Sequence, residues 1–214
     1  MKKILFIILC TFPLLVFSQA KKKNFFDGGL LLGLNPSQID GDNLYGFHKL
    51  GLNAGAYGAF PIYQKSLYVN FEMLYSEKGS KSAYAEIGGD PNQNYKVNLR
   101  YADVPVYLQY RDKDGKTRMG LGLSYGQLFS ASETIDFANN PDALNEFKKR
   151  DVCWLADLQY FLTPHLGFNL RYSYSLLYIR NFAGWGFNGY FSLNPPYGTN
   201  QYNNFITTRV IYSF

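Results

Sequence analysis

Side chains able to do chemistry are scarce in this sequence. Its 214 residues include two histidines, His48 and His165, and two cysteines, Cys10 and Cys153. His48 stands near Ser37, Asp40 and Asp42. A histidine beside a hydroxyl and carboxylates is the inventory of general-base and nucleophilic catalysis, and acyl transfer involving a lipid is the reaction it would suit. No third group is spaced to orient the imidazole, so these residues read first as a polar loop. His165 lies in the short turn Thr163-Pro164-His165. The run Asp40-Gly41-Asp42-Asn43 offers oxygen ligands for Ca²⁺ but lacks the rest of that loop pattern, and is expected to be a turn. There is no CxxC pair, zinc-ligand spacing or phosphate-binding glycine loop. The expectation is no catalytic centre, no metal and no cofactor.

Five charged residues stand out for a different reason. Asp27, Glu72, Asp157, Arg171 and Arg209 all fall on the polar side of alternating runs. Charges removed from water need partners, and three acids against two bases are near enough to balance for pairing. The expected role is a structural ion-pair network that plugs an interior. A gated proton or solute path is the alternative reading. Cys153 shares this side and is expected to be inert packing.

The elements that position these residues follow a two-residue alternation. In residues 66–78, Leu67, Val69, Phe71, Met73 and Tyr75 oppose Tyr68, Asn70, Glu72, Leu74 and Ser76. In residues 117–129, Met119, Leu121, Leu123 and Tyr125 oppose Gly120, Gly122, Ser124 and Gly126. Eight such runs occur, at about 24–34, 49–60, 66–78, 95–110, 117–129, 151–162, 166–178 and 204–214. Short turns join runs two to three, four to five and six to seven. Long connections, roughly 35–48, 79–94, 130–150 and 179–203, join the others. The connection 130–150 holds "NNPDALNEFKKR", a candidate short helix.

Short turns at one end and long loops at the other are the plan of a transmembrane β-barrel. An even strand number predicts both termini on the periplasmic side. Alternation alone does not say which face is inside, and a soluble ligand-binding barrel would put its apolar face inward. Side-chain size favours the membrane reading. The polar face is rich in Gly51, Asn53, Gly55, Gly120, Gly122 and Ser124, and an eight-stranded interior has room only for packed side chains. Only 17% of residues are charged, too few for a water-facing outer wall. The predicted fold is all-β: an eight-stranded antiparallel barrel of outer-membrane type.

The first 18 residues read as a secretory signal peptide: Lys2 and Lys3, then an apolar stretch from Ile4 to Phe17, then small residues near Ser18 and Ala20. The alternative, a membrane anchor, is short for a span and is broken by Pro13. Cys10 lies inside the apolar stretch, away from a lipidation context. Loss of residues 1–18 removes Lys2 and Lys3, so the net charge falls from +5 to +3. No basic stripe suggests nucleic acid. The barrel domain is expected over residues 19–214, without an intrachain disulfide because one cysteine remains.

In the last run, Ile206, Thr208, Val210, Tyr212 and Phe214 are expected to face lipid, with Phe205, Thr207, Arg209, Ile211 and Ser213 inward. The final strand must pair with the first, because an open edge in hydrocarbon leaves backbone groups unsatisfied. Val210, Tyr212 and the terminal Phe214 also resemble the sorting signature read by the barrel-assembly machinery. The fourth run breaks parity: Val97, Leu99 and Tyr101 share one face, and Val104, Val106, Leu108 and Tyr110 the other. A β-bulge near Ala102 and Asp103 would repair it, and Pro105 fits an interrupted ladder.

The stretches "GGLLLGLNPSQIDGD", "GLNAGAYGAF", "LYVNFEMLYSEKGSK" and "YADVPVYLQY" resemble the PorT-like outer-membrane β-barrel family of Gram-negative bacteria. The resemblance implies an eight-stranded outer-membrane barrel with no catalytic residues to carry over, and it ties a few members to protein secretion. The expected function is a non-enzymatic barrel that contacts outer-membrane lipid and displays extracellular loops. Trp185, Phe187, Tyr190, Phe191 and Tyr197 in the last long loop would serve a partner surface or anchor at the membrane interface. An accessory role in secretion or envelope assembly, through protein contacts, is the second reading. A lipid-modifying enzyme is the third.

Overall fold

The computed structural model describes residues 26–42, 44, 46–63, 66–82, 95–135, 138–182 and 199–214. Eight long strands make the wall: β1 Asp27–Asp40, β2 Lys49–Tyr63, β3 Leu67–Lys81, β4 Tyr95–Arg111, β5 Thr117–Ile135, β7 Arg150–Phe161, β8 Leu166–Ser175 and β10 Thr199–Ser213. Two short strands, β6 Ala138–Asn140 and β9 Arg180–Phe182, extend β5 and β10, and a one-turn helix α1 spans Ala143–Glu146. Each wall strand pairs antiparallel with the next, and β10 returns to β1 to close an eight-stranded barrel. At the seam Leu30 lies opposite Tyr212 and Leu32 opposite Val210. The Phe214 amide donates to the Gly28 carbonyl at 3.0 Å, carrying the seam to the last residue.

The alternation assigns the faces as physics requires for a wall between hydrocarbon and a narrow interior. Leu32, Met73 and Leu121 point outward and are 61%, 69% and 66% exposed. Val210, Tyr212 and Phe214 are outward too, while Ile211 and Ser213 are buried inside. Small inward residues leave room for large ones. A Cβ at Gly122 would lie 2.4 Å from the Tyr107 side chain, and one at Gly120 2.7 Å from its ring. Two glycines on β5 thus make the space that Tyr107 of β4 fills.

Three sequence expectations change. First, β1 runs on through Asn35–Asp40, a stretch the periodicity assigns to a loop. Pro36 has no N–H to give, and the β1–β10 ladder skips Asn35 and Pro36 without changing register. Second, β4 has no bulge at Ala102–Asp103: Leu74 to Asp103 and Tyr75 to Ala102 keep one register, and inward burial alternates from Val97 to Arg111. The ladder does lapse opposite Pro105, again without a register change. Third, the bulge lies on β5. Arg100 pairs with Ser130 and Tyr101 with Leu128, so Phe129 is the extra residue. Val97, Leu99 and Tyr101 therefore face inward, where they pack with Ile39, Leu128, Phe147 and Ile179. The reason is strand length. A bilayer needs an apolar outer band only about 25 Å tall, and β4 has 17 residues. Beyond the band the sense of the alternation inverts, apolar residues packing inward and Lys96 and Arg100 turning out.

Candidate functional site

The inward positions of β4 read off the barrel's interior from one end to the other. Val97, Leu99 and Tyr101 belong to an apolar layer at the long-loop end. Asp103 belongs to a lysine cluster and Tyr107 to an arginine cluster. Arg111 belongs to an ion pair with Asp27 at the short-turn end.

The arginine cluster is built by five strands. Arg171 of β8 makes a fork on Glu72 of β3, Nη1 to Oε2 at 2.8 Å and Nη2 to Oε1 at 2.7 Å. Its Nε reaches Asp157 of β7 at 2.7 Å. Arg209 of β10 donates to the same Glu72 at 2.9 Å and stands 3.7 Å from Asp157. The Tyr107 hydroxyl donates to Glu72 at 2.9 Å, and Asn169 and Gln159 donate to Asp157, each at 2.8 Å. Planar guanidinium groups suit such bidentate bonding. Two acids meet two bases, and every one of these four side chains is buried. A layer of Leu31, Tyr57, Leu74, Phe161 and Ile211 also packs inside the lumen.

The lysine cluster is built differently. Lys78 Nζ lies 3.1 Å from Asp103 and 3.3 Å from Asp151. The rings of Tyr101 and Phe205 flank the ammonium at 4.5 and 4.6 Å, within cation–π range. Asp151 also accepts from Ser175 at 2.7 Å, Asn203 at 2.8 Å and the Cys153 thiol at 3.4 Å. Cys153 is buried here as a weak donor.

Of the five charged residues singled out by sequence, Glu72, Asp157, Arg171 and Arg209 meet. Asp27 does not join them; it pairs with Arg111, whose guanidinium stacks 3.5 Å over Tyr68. Sequence reasoning missed Lys78, Asp103, Asp151 and Arg111. Asp151 shares the parity of Cys153 and Asp157, so spacing could have found it. Asp103 was hidden by the misplaced bulge.

The long-loop mouth is capped. Phe147, just after α1, and Ile179 are buried in the apolar layer. Arg180 ties the cap to the wall through Glu133 at 2.9 Å and to Glu146 at 3.2 Å. Ser37 is buried and donates to the carbonyls of Gly79 and Lys49. His48 is exposed, and among the described residues no hydrogen bond joins the two. Asp40 accepts from Gln38 and Asn204, and Asp42 from the Leu44 amide. His165 sits in the last short turn with Nδ1 2.8 Å from the Ser213 carbonyl. Trp185, Phe187, Tyr190, Phe191 and Tyr197, and residues 1–18, lie outside the described residues.

A closed barrel with an apolar outer band and a filled polar lumen is a transmembrane protein of outer-membrane type. The sequence matches the outer membrane protein beta-barrel domain over residues 17–180, and the chain belongs to that family. It is therefore a bacterial outer-membrane barrel in contact with lipid. Among solved structures it is similar to Ail, the attachment invasion locus protein of Yersinia pestis, in complex with the heparin analogue sucrose octasulfate. That likeness has a TM-score of 0.50 and 13% identity over 89% of this chain and 100% of that one. A second structure of Ail gives a TM-score of 0.50 and 13% identity over 88% and 98%. Neisserial surface protein A gives 0.47 and 13% over 89% and 98%. At this identity the likeness is one of fold. No curated protein matches the sequence significantly.

Proposed function

We propose that this barrel is a closed, non-enzymatic anchor that holds its four long connections outside the cell, with both chain termini in the periplasm. The observation that carries the reading is the filled interior. Two ion clusters, two apolar layers and a tied cap occupy the lumen, so the structure serves to hold loops in place. The aromatic loop with Trp185, Phe187, Tyr190, Phe191 and Tyr197 supplies the binding surface in this reading. Residues 1–18 are removed on export; the family match begins at residue 17, beside that cleavage.

Two experiments test it. Single cysteines at exposed Asn145, in the long-loop cap, and exposed Asp114, in a short turn, are labelled on intact cells with a membrane-impermeant thiol reagent. Native Cys153 is buried and stays silent. Reaction at position 145 and not at 114 is expected; the reverse pattern refutes the orientation. Planar-bilayer recording of the purified protein is expected to show no steady conductance. A stable large conductance would replace the anchor with a pore.

A secretion or envelope-assembly accessory is the second reading, favoured by the resemblance of β1 to β4 to PorT-like barrels. Cross-linking in intact cells followed by capture of periplasmic secretion components would promote it. Either reading needs delivery by the barrel-assembly machinery, for which the outward Val210, Tyr212 and Phe214 form the signature. Phe214→Asp is expected to lower membrane yield severalfold and Ser213→Asp much less, because Ser213 faces the lumen. Equal yields would remove that assignment.

A further inference from the structure

Outside the wall, at the long-loop end, three cations stand together where barrel closure does not require them. Register places Lys81 of β3 directly opposite Lys96 of β4. Like charges directly opposite in an antiparallel pair repel and cost stability. Arg100 lies on the same outward face of β4, opposite Glu77, its Nε 3.3 Å from that carboxylate. Glu77 also accepts from the Tyr75 hydroxyl at 2.6 Å and from the Leu52 amide at 3.2 Å. Among the described residues it is the one acid in an ion pair with this group of cations.

The bulge at Phe129 completes the arrangement. Up to Leu128 the even-numbered residues of β5 face inward; past the bulge Glu133 faces inward instead. The extra residue thus turns Ser130, Ser132 and Thr134 outward, opposite Arg100, Asn98 and Lys96. Bulges commonly re-aim side chains in this way. The result is a row of hydroxyls beside a row of cations. Below them the outward surface turns apolar, with Val104 and Phe129 exposed and the Tyr75 ring tilted against that of Phe129 at 6.0 Å. Cations and hydroxyls above an apolar floor match a molecule with anionic oxygens above acyl chains.

We propose that this patch binds the phosphate groups of an acylated, phosphorylated glycolipid of the outer leaflet. Lys81, Lys96 and Arg100 neutralise the phosphate, and Ser130 and Ser132 donate to its oxygens; the Thr134 hydroxyl already donates to Asn139 at 3.1 Å. The acyl chains lie along Val104 and Phe129. The leaflet assignment rests on the proposed orientation, with long loops outside; the chemistry of the patch does not.

The test uses the full barrel purified in nonionic detergent and native mass spectrometry of retained lipid. The probes are a bisphosphorylated acyl-glucosamine disaccharide lipid, its dephosphorylated form, phosphatidylglycerol and inorganic phosphate. Wild type is expected to retain the bisphosphorylated lipid and to hold the dephosphorylated one about 30-fold less well. The Lys81→Ala/Lys96→Ala double variant should lose a similar factor, the size expected of two cations at a lipid surface. Lys96→Glu should abolish retention while raising the melting temperature, because it turns a repulsive cross-strand pair into an attractive one. Full retention by either variant overturns the proposal. Equal retention of phosphatidylglycerol, or displacement of the glycolipid by equimolar inorganic phosphate, overturns the commitment to a glycolipid. Thiol labelling on cells reads the orientation separately, so a failed leaflet assignment and a failed binding site give different results.

Discussion

In the arginine cluster, Glu72 and Asp157 face two guanidinium groups; in the lysine cluster, Asp103 and Asp151 face one ammonium. The first solves burial by matching charge for charge with forked hydrogen bonds. The second is one cation short and makes up the difference with neutral donors, Ser175, Asn203 and Cys153, while the faces of Tyr101 and Phe205 hold the one ammonium. The two solutions use the two cations as their shapes dictate. A guanidinium is a rigid planar fork, and an ammonium is a compact point charge that fits between rings. If that is what the difference means, each cluster is sensitive to geometry as well as to charge.

The largest expected effect comes from breaking the matched cluster. Arg171→Ala strips Glu72 of its fork and leaves Asp157 with Arg209 at 3.7 Å. Leaving a buried charge without its partner typically costs about 3–5 kcal/mol. Urea unfolding in lipid vesicles is the measurement, and a change below about 1 kcal/mol would mean that water reaches the cluster. Reciprocal swaps sharpen the comparison. Arg171→Lys keeps the charge and loses the fork, for an expected loss of about 2 kcal/mol. Lys78→Arg keeps the charge and crowds the space between Tyr101 and Phe205, for about 1–2 kcal/mol by overpacking. Two neutral swaps would show that charge alone matters and that the shapes are incidental.

The two clusters also differ in how legible they were. The arginine cluster lies within the apolar band, where polar-in and apolar-out holds, and its four charged residues follow directly from parity. The lysine cluster lies nearer the long-loop end, beside the point where that rule inverts. Val97, Leu99 and Tyr101 look like a lipid face only while the strand is assumed to stay in the membrane. The correcting signal was present in Lys96, Asn98 and Arg100, which share the opposite face; that much polarity on one face of a strand marks its exit from hydrocarbon. The short turns, the eight runs and the seam were readable because each is fixed by local alternation. The bulge at Phe129 was not, since it depends on pairing between β4 and β5 and leaves no break in the apolar pattern of β5 alone.

The smallest expected effect concerns an acid that has neither kind of partner. Asp42, just past β1 at the mouth, is half-buried, and its Oδ1 accepts from the Leu44 amide at 2.9 Å. Burial, partly offset by hydrogen bonds from Ser80 and Leu44, pushes its carboxyl up from 3.8 to about 6. The folded mouth then binds a proton that the opened mouth does not, over the window from about 6 down to 3.8. Within that window stability rises as pH falls, because the state that holds more protons gains. Above about 6 the burden of a buried carboxylate is present in full, and below 3.8 it is gone. The shift corresponds to at most about 3 kcal/mol, and solvent at the rim reduces it to about 1–2 kcal/mol. Hydrogen exchange at the Leu44 amide, corrected for intrinsic rates, should therefore show greater protection at pH 5 than at pH 7. Asp42→Asn should flatten that difference, while Asp27→Asn, at the short-turn end beside Arg111, should leave it in place. Protection that rises with pH instead would mean that Asp42 has a cationic partner after all, and would move it into the same class as the lumen acids.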